Sequence, residues 1–212
     1  MMIDIPGLHR ITEEEKPKMF ETLIDAMSEY PKQNLIFPKI RDRLNSIAAT
    51  VYFYGQFDFY YGAAFSTDEE INEVAMVVHS DVNDLSEERM RQAGCYSEEY
   101  EKAVGALTEA QRQLRDDFFD ELDRLEATLT FPQPHLYIDF VGVAGHYQGQ
   151  GRGHRLVESI CRYADREGLP LMLFTNSPED IRFYQSMGFG ICGIVESKEY
   201  GFVNTYMLYI PN

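Results

Sequence analysis

The sequence predicts an α/β (α+β) chain in which a mixed, mostly antiparallel central sheet carries helices on both faces. Runs rich in β-branched and aromatic residues alternate with stretches whose apolar residues recur every three or four positions. The last third reads strand, helix, strand, helix, strand, strand, an order that implies a mixed sheet with helices packed on it. At 212 residues the chain suits one well-cored domain, 1–212, and no repeat, linker or low-complexity tract divides it.

The elements follow in order. Leu8-His9-Arg10-Ile11 reads as a short strand. Thr12 then opens a capping box with Glu15, and a helix runs to about Ser28 with Met19, Leu23, Ile24 and Met27 on one face. Tyr30-Pro31 closes it. Pro38 opens a second helix in which Ile40, Leu44, Ile47, Val51 and Tyr54 keep helical spacing. The aromatic group that follows (Phe53, Tyr54, Phe57, Phe59, Tyr60, Tyr61) reads either as core or as the lining of an acceptor pocket. Residues 62–66 and 73–79 read as a hairpin across the acidic turn Asp68-Glu69-Glu70. Residues 85–130 read as a helical insertion, with a stripe of Val104, Leu107, Leu114, Phe118, Leu122, Leu125 and Leu129 opposite an acidic face. It carries no motif tied to chemistry.

The C-terminal third is denser in signals. His135–Val143 reads as a strand, followed by a glycine-rich turn and a helix from about Gly153 to Arg166 that buries Leu156, Ile160 and Tyr163. A strand over 169–175 leads to a helix capped by Ser177, with Pro178 at its first position and Gly188 at its end. Strands near 190–196 and 202–210 finish the chain.

Net charge is −16, and it is unevenly spread. Residues 1–134 hold 13 Lys/Arg and 27 Asp/Glu, whereas residues 135–212 hold 6 and 8. An acidic surface repels nucleic acid and anionic membranes, so neither is an expected partner. The near-neutral C-terminal part suits an anionic ligand, and the acidic N-terminal part either attracts a cation or serves solubility. No stretch approaches the roughly 18 apolar residues of a membrane span, and the start lacks a signal-peptide pattern. Three scattered cysteines have no metal-ligand spacing, so the expectation is a cytoplasmic protein with free thiols, no metal, and a monomeric or homodimeric state.

Gln148-Gly149-Gln150-Gly151-Arg152-Gly153 lies between a strand and a helix. Alternating glycines let main-chain N–H groups converge, and the helix that follows points its positive end into the same space, so the turn suits a pyrophosphate. Arg152, His154 and Arg155 add positive charge. A P-loop would need Gly-Lys-Ser/Thr, and a dinucleotide fold would place the third glycine one position later. By itself the turn could also be merely tight.

Gln148-x-x-Gly151-x-Gly153 after Val141-Gly142-Val143 resembles the acetyl-CoA signature of the GNAT N-acetyltransferase superfamily, and Leu173–Phe189 with Phe183-Tyr184 and Gly188-Phe189 resembles its next strand and helix. His135-Leu-Tyr137, the long preceding helical segment and the second helix ending in aromatics are similar to the puromycin-acetyltransferase-like branch. The resemblance implies a GNAT-like acyl-CoA N-acyltransferase fold with a coenzyme A-binding core over 135–190 and direct transfer in a ternary complex. It implies that the backbone of Val141 and Val143 pairs with the pantetheine arm, and that the Val141 amide faces the thioester carbonyl. The amides of Gln148, Gly149, Gln150, Gly151, Arg152, Gly153 and His154 would hold the pyrophosphate. Tyr184 aligns with the family's general acid. Ser177 stands where many relatives have a coenzyme A-contacting Asn, with Asn176 beside it.

For the base, Tyr137 lies where histone-type relatives place a glutamate. Strand alternation sets His135, Tyr137 and Asp139 on the face of Val141, so Asp139 can attract an ammonium group or take its proton; His79 is another possibility. Three functions fit: an N-acetyltransferase for a small, cationic amine, an enzyme of the same kind for a protein N-terminus or lysine, and a non-catalytic coenzyme A-binding sensor.

Overall fold

A computed structural model describes residues 3–30 and 37–211. Its elements run β1 (His9–Arg10), α1 (Lys16–Met27), α2 (Ile40–Tyr61), β2 (Ala63–Ser66), β3 (Glu73–His79), α3 (Glu87–Ala93), α4 (Glu98–Gly105) and α5 (Glu109–Glu126). They continue β4 (Leu136–Val143), a 3-10 turn (Gly145–Tyr147), α6 (Arg152–Glu167), β5 (Leu171–Thr175), α7 (Pro178–Ser186), β6 (Gly190–Ser197) and β7 (Phe202–Tyr209). The sheet order is β1-β2-β3-β4-β5-β7-β6, and every pair is antiparallel except β4–β5.

The mixed, mostly antiparallel sheet is covered on both faces. On one, Leu156, Val157 and Ile160 of α6 pack on Val77, Ile138 and Leu173. On the other, Met19 and Leu23 of α1 and Ile47 and Val51 of α2 pack on Val74, Met76 and Phe140. The amphipathic spacing read from the sequence thus lands where burial of apolar area rewards it.

Three expectations need correction. The first helix starts at Lys16, because residues 13–15 form a turn. Glu15 reaches back to the Thr12 amide at 2.8 Å, half of the expected box, and the same carboxylate holds His9 Nε2 at 2.9 Å. The stripe read along the helical 85–130 stretch is broken, because that stretch holds three helices, each with its own cap: Gly94 in the left-handed region, Ser97 accepting from Tyr100 N–H, and a Thr108–Gln111 capping box. Val104 therefore belongs to a different helix from Phe118 and Leu122, and Leu114 is exposed. Pro31 lies outside the described residues. The third correction, a bulge in β4, bears on the site.

α1 lies against β4 at Gly142, where an added Cβ would come within 2.8 Å of Ala26 Cβ and 3.2 Å of Leu23 Cδ2. This close approach brings the end of α1, with Met27 and Tyr30, to the rim of the site. Gly142→Ala should push the helix outward and cost about 1–3 kcal/mol, the usual penalty of overpacking. Urea denaturation of the variant and the parent measures it.

Candidate active site

β4 and β5 pair only at Leu136–Leu171 and Tyr137–Met172. Beyond that point they diverge, and this edge of β4 has no strand partner. The cause sits in β4 itself. Met76 of β3 faces Phe140 and Val77 faces Ile138, so Asp139 is an extra residue in the ladder, and a bulge of this kind bends and twists its strand. The gap is a cleft of about 560 Å³ running from Ile138 and Val143 past the glycine turn to Phe183 and Tyr184.

The turn presents donors to that cleft. Gly149 and Gly151 have φ of 74° and 73°, and among the described residues the amides from Gly149 to His154 have no acceptor. The amides of Arg152 to His154 are also the first turn of α6, whose positive end they share. The Gln148 amide is partly engaged, donating to Gly145 C=O at 3.4 Å. Side chains brace the loop from outside: Gln148 Nε2 donates to Val143 C=O at 3.0 Å and Gln150 Nε2 to His146 C=O at 3.2 Å. The Gly145 amide donates to Asp25 Oδ2 at 2.8 Å.

Arg152 plays another part than its charge suggested. Its guanidinium lies 2.9 Å from both Asp68 Oδ2 and Glu73 Oε2, and the Glu73 side chain is fully buried. The positive charge is therefore neutralised inward, and it pins the glycine turn to β3. His154 lines the cleft, 6.5 Å from the Phe183 ring, and is exposed.

Tyr184 lines the cleft from α7, wedged between Phe183 and Phe189. Burial, with lesser contributions from Asp180 and Tyr30, holds its phenol well above the ordinary tyrosine range, so it stays protonated. Tyr30, which sequence reasoning did not single out, joins α1 to β5 by a 3.0 Å bond to Thr175 Oγ1 and accepts from the Asn176 amide at 3.3 Å. Ser177 accepts from Asp180 N–H as the cap of α7 and does not line the cleft. Beside it, both side-chain polar atoms of Asn176 are buried without a partner.

A second cavity of about 180 Å³ opens on the other side of β4. Met27, Tyr30, Asp139, Phe140 and Phe174 line both, so the two meet at the bulge. Here the alternation argument fails: the extra residue reverses the pleat, so Tyr137 shares the α1/α2 side with Phe140 while Val141 packs toward α6. Tyr137 and Asp139 face the second cavity together. His135 is held by Pro132 C=O at 2.6 Å, and burial pushes its pKa down; His79 sits 2.7 Å from Asp81. Neither histidine lines either cavity.

The second cavity also contains a residue the sequence did not advertise. Asp58, from α2, is 3% exposed and hydrogen-bonds the Asp139 carboxyl, while its Oδ2 has no partner. The available signal was an acid within the aromatic run 53–61. Burial first, then the charge and hydrogen bond of Asp139, hold Asp58 well above the usual carboxylate range.

A splayed strand pair beside a nest of amides has the shape and donors that suit a diphosphate with an extended tail. The chain belongs to the GNAT acetyltransferase family, whose model matches residues 13–189. It is accordingly an acyltransferase that uses acetyl-CoA. Solved structures with the same fold include a histone acetyltransferase HPA2 and related acetyltransferase from Corynebacterium glutamicum (16% identity, 99% of this chain and 98% of that one, TM-score 0.60). Another is arylalkylamine N-acetyltransferase 2 from Aedes aegypti (12%, 97% and 98%, TM-score 0.59), and a third is Naa20 from Chaetomium thermophilum in complex with a bisubstrate analogue (15%, 96% and 86%, TM-score 0.52). These matches reach the family and not a branch of it. Among the described residues no helix is long and apolar enough to cross a membrane, and no cluster of His, Cys, Asp or Glu could hold a metal ion.

The buried carboxyl makes a pH-dependent prediction. In the unfolded chain Asp58 loses its proton near pH 4, whereas the folded protein retains it to higher pH. The native state therefore binds the extra proton across that window, and its stability falls as pH rises through it. Asp58→Asn fixes the neutral form. Its stability in urea should match the parent near pH 4 and gain on it with rising pH, by up to about 1.4 kcal/mol per unit.

Proposed function

We propose that this protein transfers the acetyl group of acetyl-CoA directly to a primary amine of a small cationic molecule, both substrates being bound together. The observation that carries this reading is the junction of the two cavities at Asp139 and Phe140. One cavity has the amide nest and an open strand edge; the other has carboxyl groups and aromatic walls. A thioester in the first and an amine in the second would meet at the bulge.

The roles follow the chemistry. Amides of Gln148, Gly149, Gln150, Gly151, Arg152, Gly153 and His154 bind the pyrophosphate, and the backbone of Val141 and Val143 replaces the missing strand partner with the pantetheine arm. Asn176 takes the side-chain contact first assigned to Ser177, since its buried amide atoms lack protein partners. The incoming ammonium loses a proton to Asp139, which lies at the junction of the two cavities. Its lone pair attacks the thioester carbon, and the oxyanion forms against the Val141 amide. The new C–N bond replaces the C–S bond; Tyr184 protonates the departing sulfur, and the nitrogen's second proton restores the phenol. Tyr137 is a wall of the acceptor cavity, where its phenol orients the amine. Residues 85–130 complete that cavity through Leu85, Phe119, Leu122, Asp123 and Glu126, so we treat 1–212 as one functional unit.

Thiol release from acetyl-CoA across a panel of amines tests the activity, and calorimetry with coenzyme A tests the nest. Tyr184→Phe should lower kcat about 100-fold and leave the KM for acetyl-CoA unchanged, because a general acid acts in the chemical step. Unchanged kcat removes Tyr184 from the mechanism; absence of coenzyme A binding removes the whole reading.

A further inference from the structure

The acceptor cavity is walled mainly by rings. Tyr54 of α2, Phe119 of α5, Tyr137 and Phe140 of β4 and Phe174 of β5 line it, and Met27 and Met172 bring two thioethers. Its volume of about 180 Å³ lies below the roughly 300–1,000 Å³ of a pocket for a drug-sized ligand, so it suits one compact molecule. Among the described residues no Lys, Arg or His lines it, so a carboxylate on the acceptor would find no counter-charge. Asp123, Glu126 and Asp139 also line it, and each is engaged within the protein. Selection of the acceptor therefore falls to the rings and to Asp58.

The rings are braced from behind. Tyr54 and Phe119 lie 5.9 Å apart, and Tyr54 meets Phe53 edge-on at 5.1 Å. Phe119 meets Phe118 edge-on at 5.7 Å and the Arg115 guanidinium at 4.9 Å. Phe174 stands 5.5 Å from Tyr206. Burial holds the phenols of Tyr54 and Tyr137 above the ordinary tyrosine range, so both walls stay neutral.

A polar anchor sits at a fixed distance from these walls. Asp58 follows Tyr54 by four residues on α2, which sets the two on one helix face about 6 Å apart along the axis. Asp58 Oδ2 is buried without a hydrogen-bond partner. The same carboxyl is hydrogen-bonded to Asp139, which lies where the two cavities meet. The anchor thus stands beside the place where the thioester would arrive, and the pair Tyr54 and Phe119 stands one helical turn away.

Each feature specifies part of a ligand. A buried oxygen without a donor calls for one, and an amino group supplies it. Aromatic walls favour a ring as neighbour, edge-to-face or offset, with centroids about 4.5–7 Å apart, and thioether sulfur favours ring edges. A single helical turn between anchor and walls calls for a short linker.

Resting on the acetyltransferase reading, we propose that the acceptor is a primary amine carrying one aromatic ring on a short linker, its nitrogen at Asp58 and its ring against Tyr54 and Phe119.

The test compares thiol release from acetyl-CoA with phenylethylamine, cyclohexylethylamine, an unbranched alkylamine, an α,ω-diamine and a lysine-containing peptide. The two cyclic amines share their nitrogen, linker and ring size, so their ratio isolates aromaticity. Phenylethylamine should exceed cyclohexylethylamine in kcat/KM by about three- to tenfold, the gain of a ring pair beyond its buried area. It should exceed the diamine and the peptide as well. In Phe119→Leu the ratio of the two cyclic amines should fall toward unity, mainly through a higher KM for the aromatic one. Circular dichroism and calorimetry with coenzyme A check that variant's fold, and the comparison in the parent decides by itself where the variant fails to fold. Equal or better use of the saturated ring, a preference for the diamine or the peptide, or an aromatic preference that survives Phe119→Leu overturns the ring-bearing acceptor as placed here while leaving acetyl transfer intact. No release with any amine overturns both readings.

Discussion

The site depends on β4 losing its partner. A parallel strand in the middle of a sheet ordinarily has both edges hydrogen-bonded, and an unpaired inner edge leaves main-chain donors and acceptors without satisfaction. Here pairing with β5 stops after two registers. The extra residue at Asp139 follows the place where it stops, and beyond the bulge β4 stays paired with β3 as far as Val143–Glu73. The opening is thus held rigid from one side. The same bulge turns Asp139 and Phe140 toward the second cavity. One local irregularity therefore creates both the slot for an extended ligand and the contact between that slot and its neighbour.

The Arg152 guanidinium does not serve anion binding in such a slot, because it is committed to Asp68 and Glu73, and the backbone amides are the donors that face it. Arg152 balances a fully buried glutamate, and removing either partner would strand a charge in the interior. Glu73 also accepts from the Thr67 amide at 2.9 Å and from Ser66 Oγ at 3.2 Å, so its carboxylate is well satisfied. The network ties the first residue of α6 to the β2–β3 hairpin and fixes the direction in which the helix end points. Preorganised amides cost no reorganisation when a charge arrives, which gives a rigid nest its advantage over mobile lysines.

The parts of this arrangement that were legible in the sequence are the local ones. The glycine turn, the capped α7 and the Phe183-Tyr184 to Gly188-Phe189 spacing each lie within one stretch of chain, and the alternation of strand and helix patterns gave the sheet. The breaks within 85–130 were also present as signals: Gly94, Ser97 and the Thr108–Gln111 box. A periodic stripe masked them because its spacing continued across the gaps. The bulge was not legible. Alternation along β4 looks regular, and only the register against β3 reveals the extra residue. Asp58 was hidden for the same kind of reason, since its meaning depends on a carboxyl far along the chain. Arg152 was read as a phosphate ligand because a guanidinium beside a glycine turn has that ordinary use, whereas its acidic partners come from β3 and the loop before it.

The uneven charge of the chain acquires a structural sense from the two cavities. The carboxyl groups of the acceptor side come mostly from α2 and α5, in the acidic N-terminal part, and the amide nest belongs to the nearly neutral C-terminal part. On the proposed function, a diphosphate and an ammonium group are drawn to different regions of one surface, so each ligand's own charge steers it away from the other's seat. Asp139 is the exception, a C-terminal-part acid at the boundary. On the proposed mechanism its position lets it attract the amine and take its proton where the thioester arrives, beside Asp58, whose carboxyl is held well above the usual carboxylate range by burial and by Asp139. A fully ionised pair would hold the ammonium too strongly to release its proton, and a fully neutral pair could not accept it. On the proposed mechanism, a floor that keeps one of its two carboxyl groups neutral can both bind a cation and accept its proton.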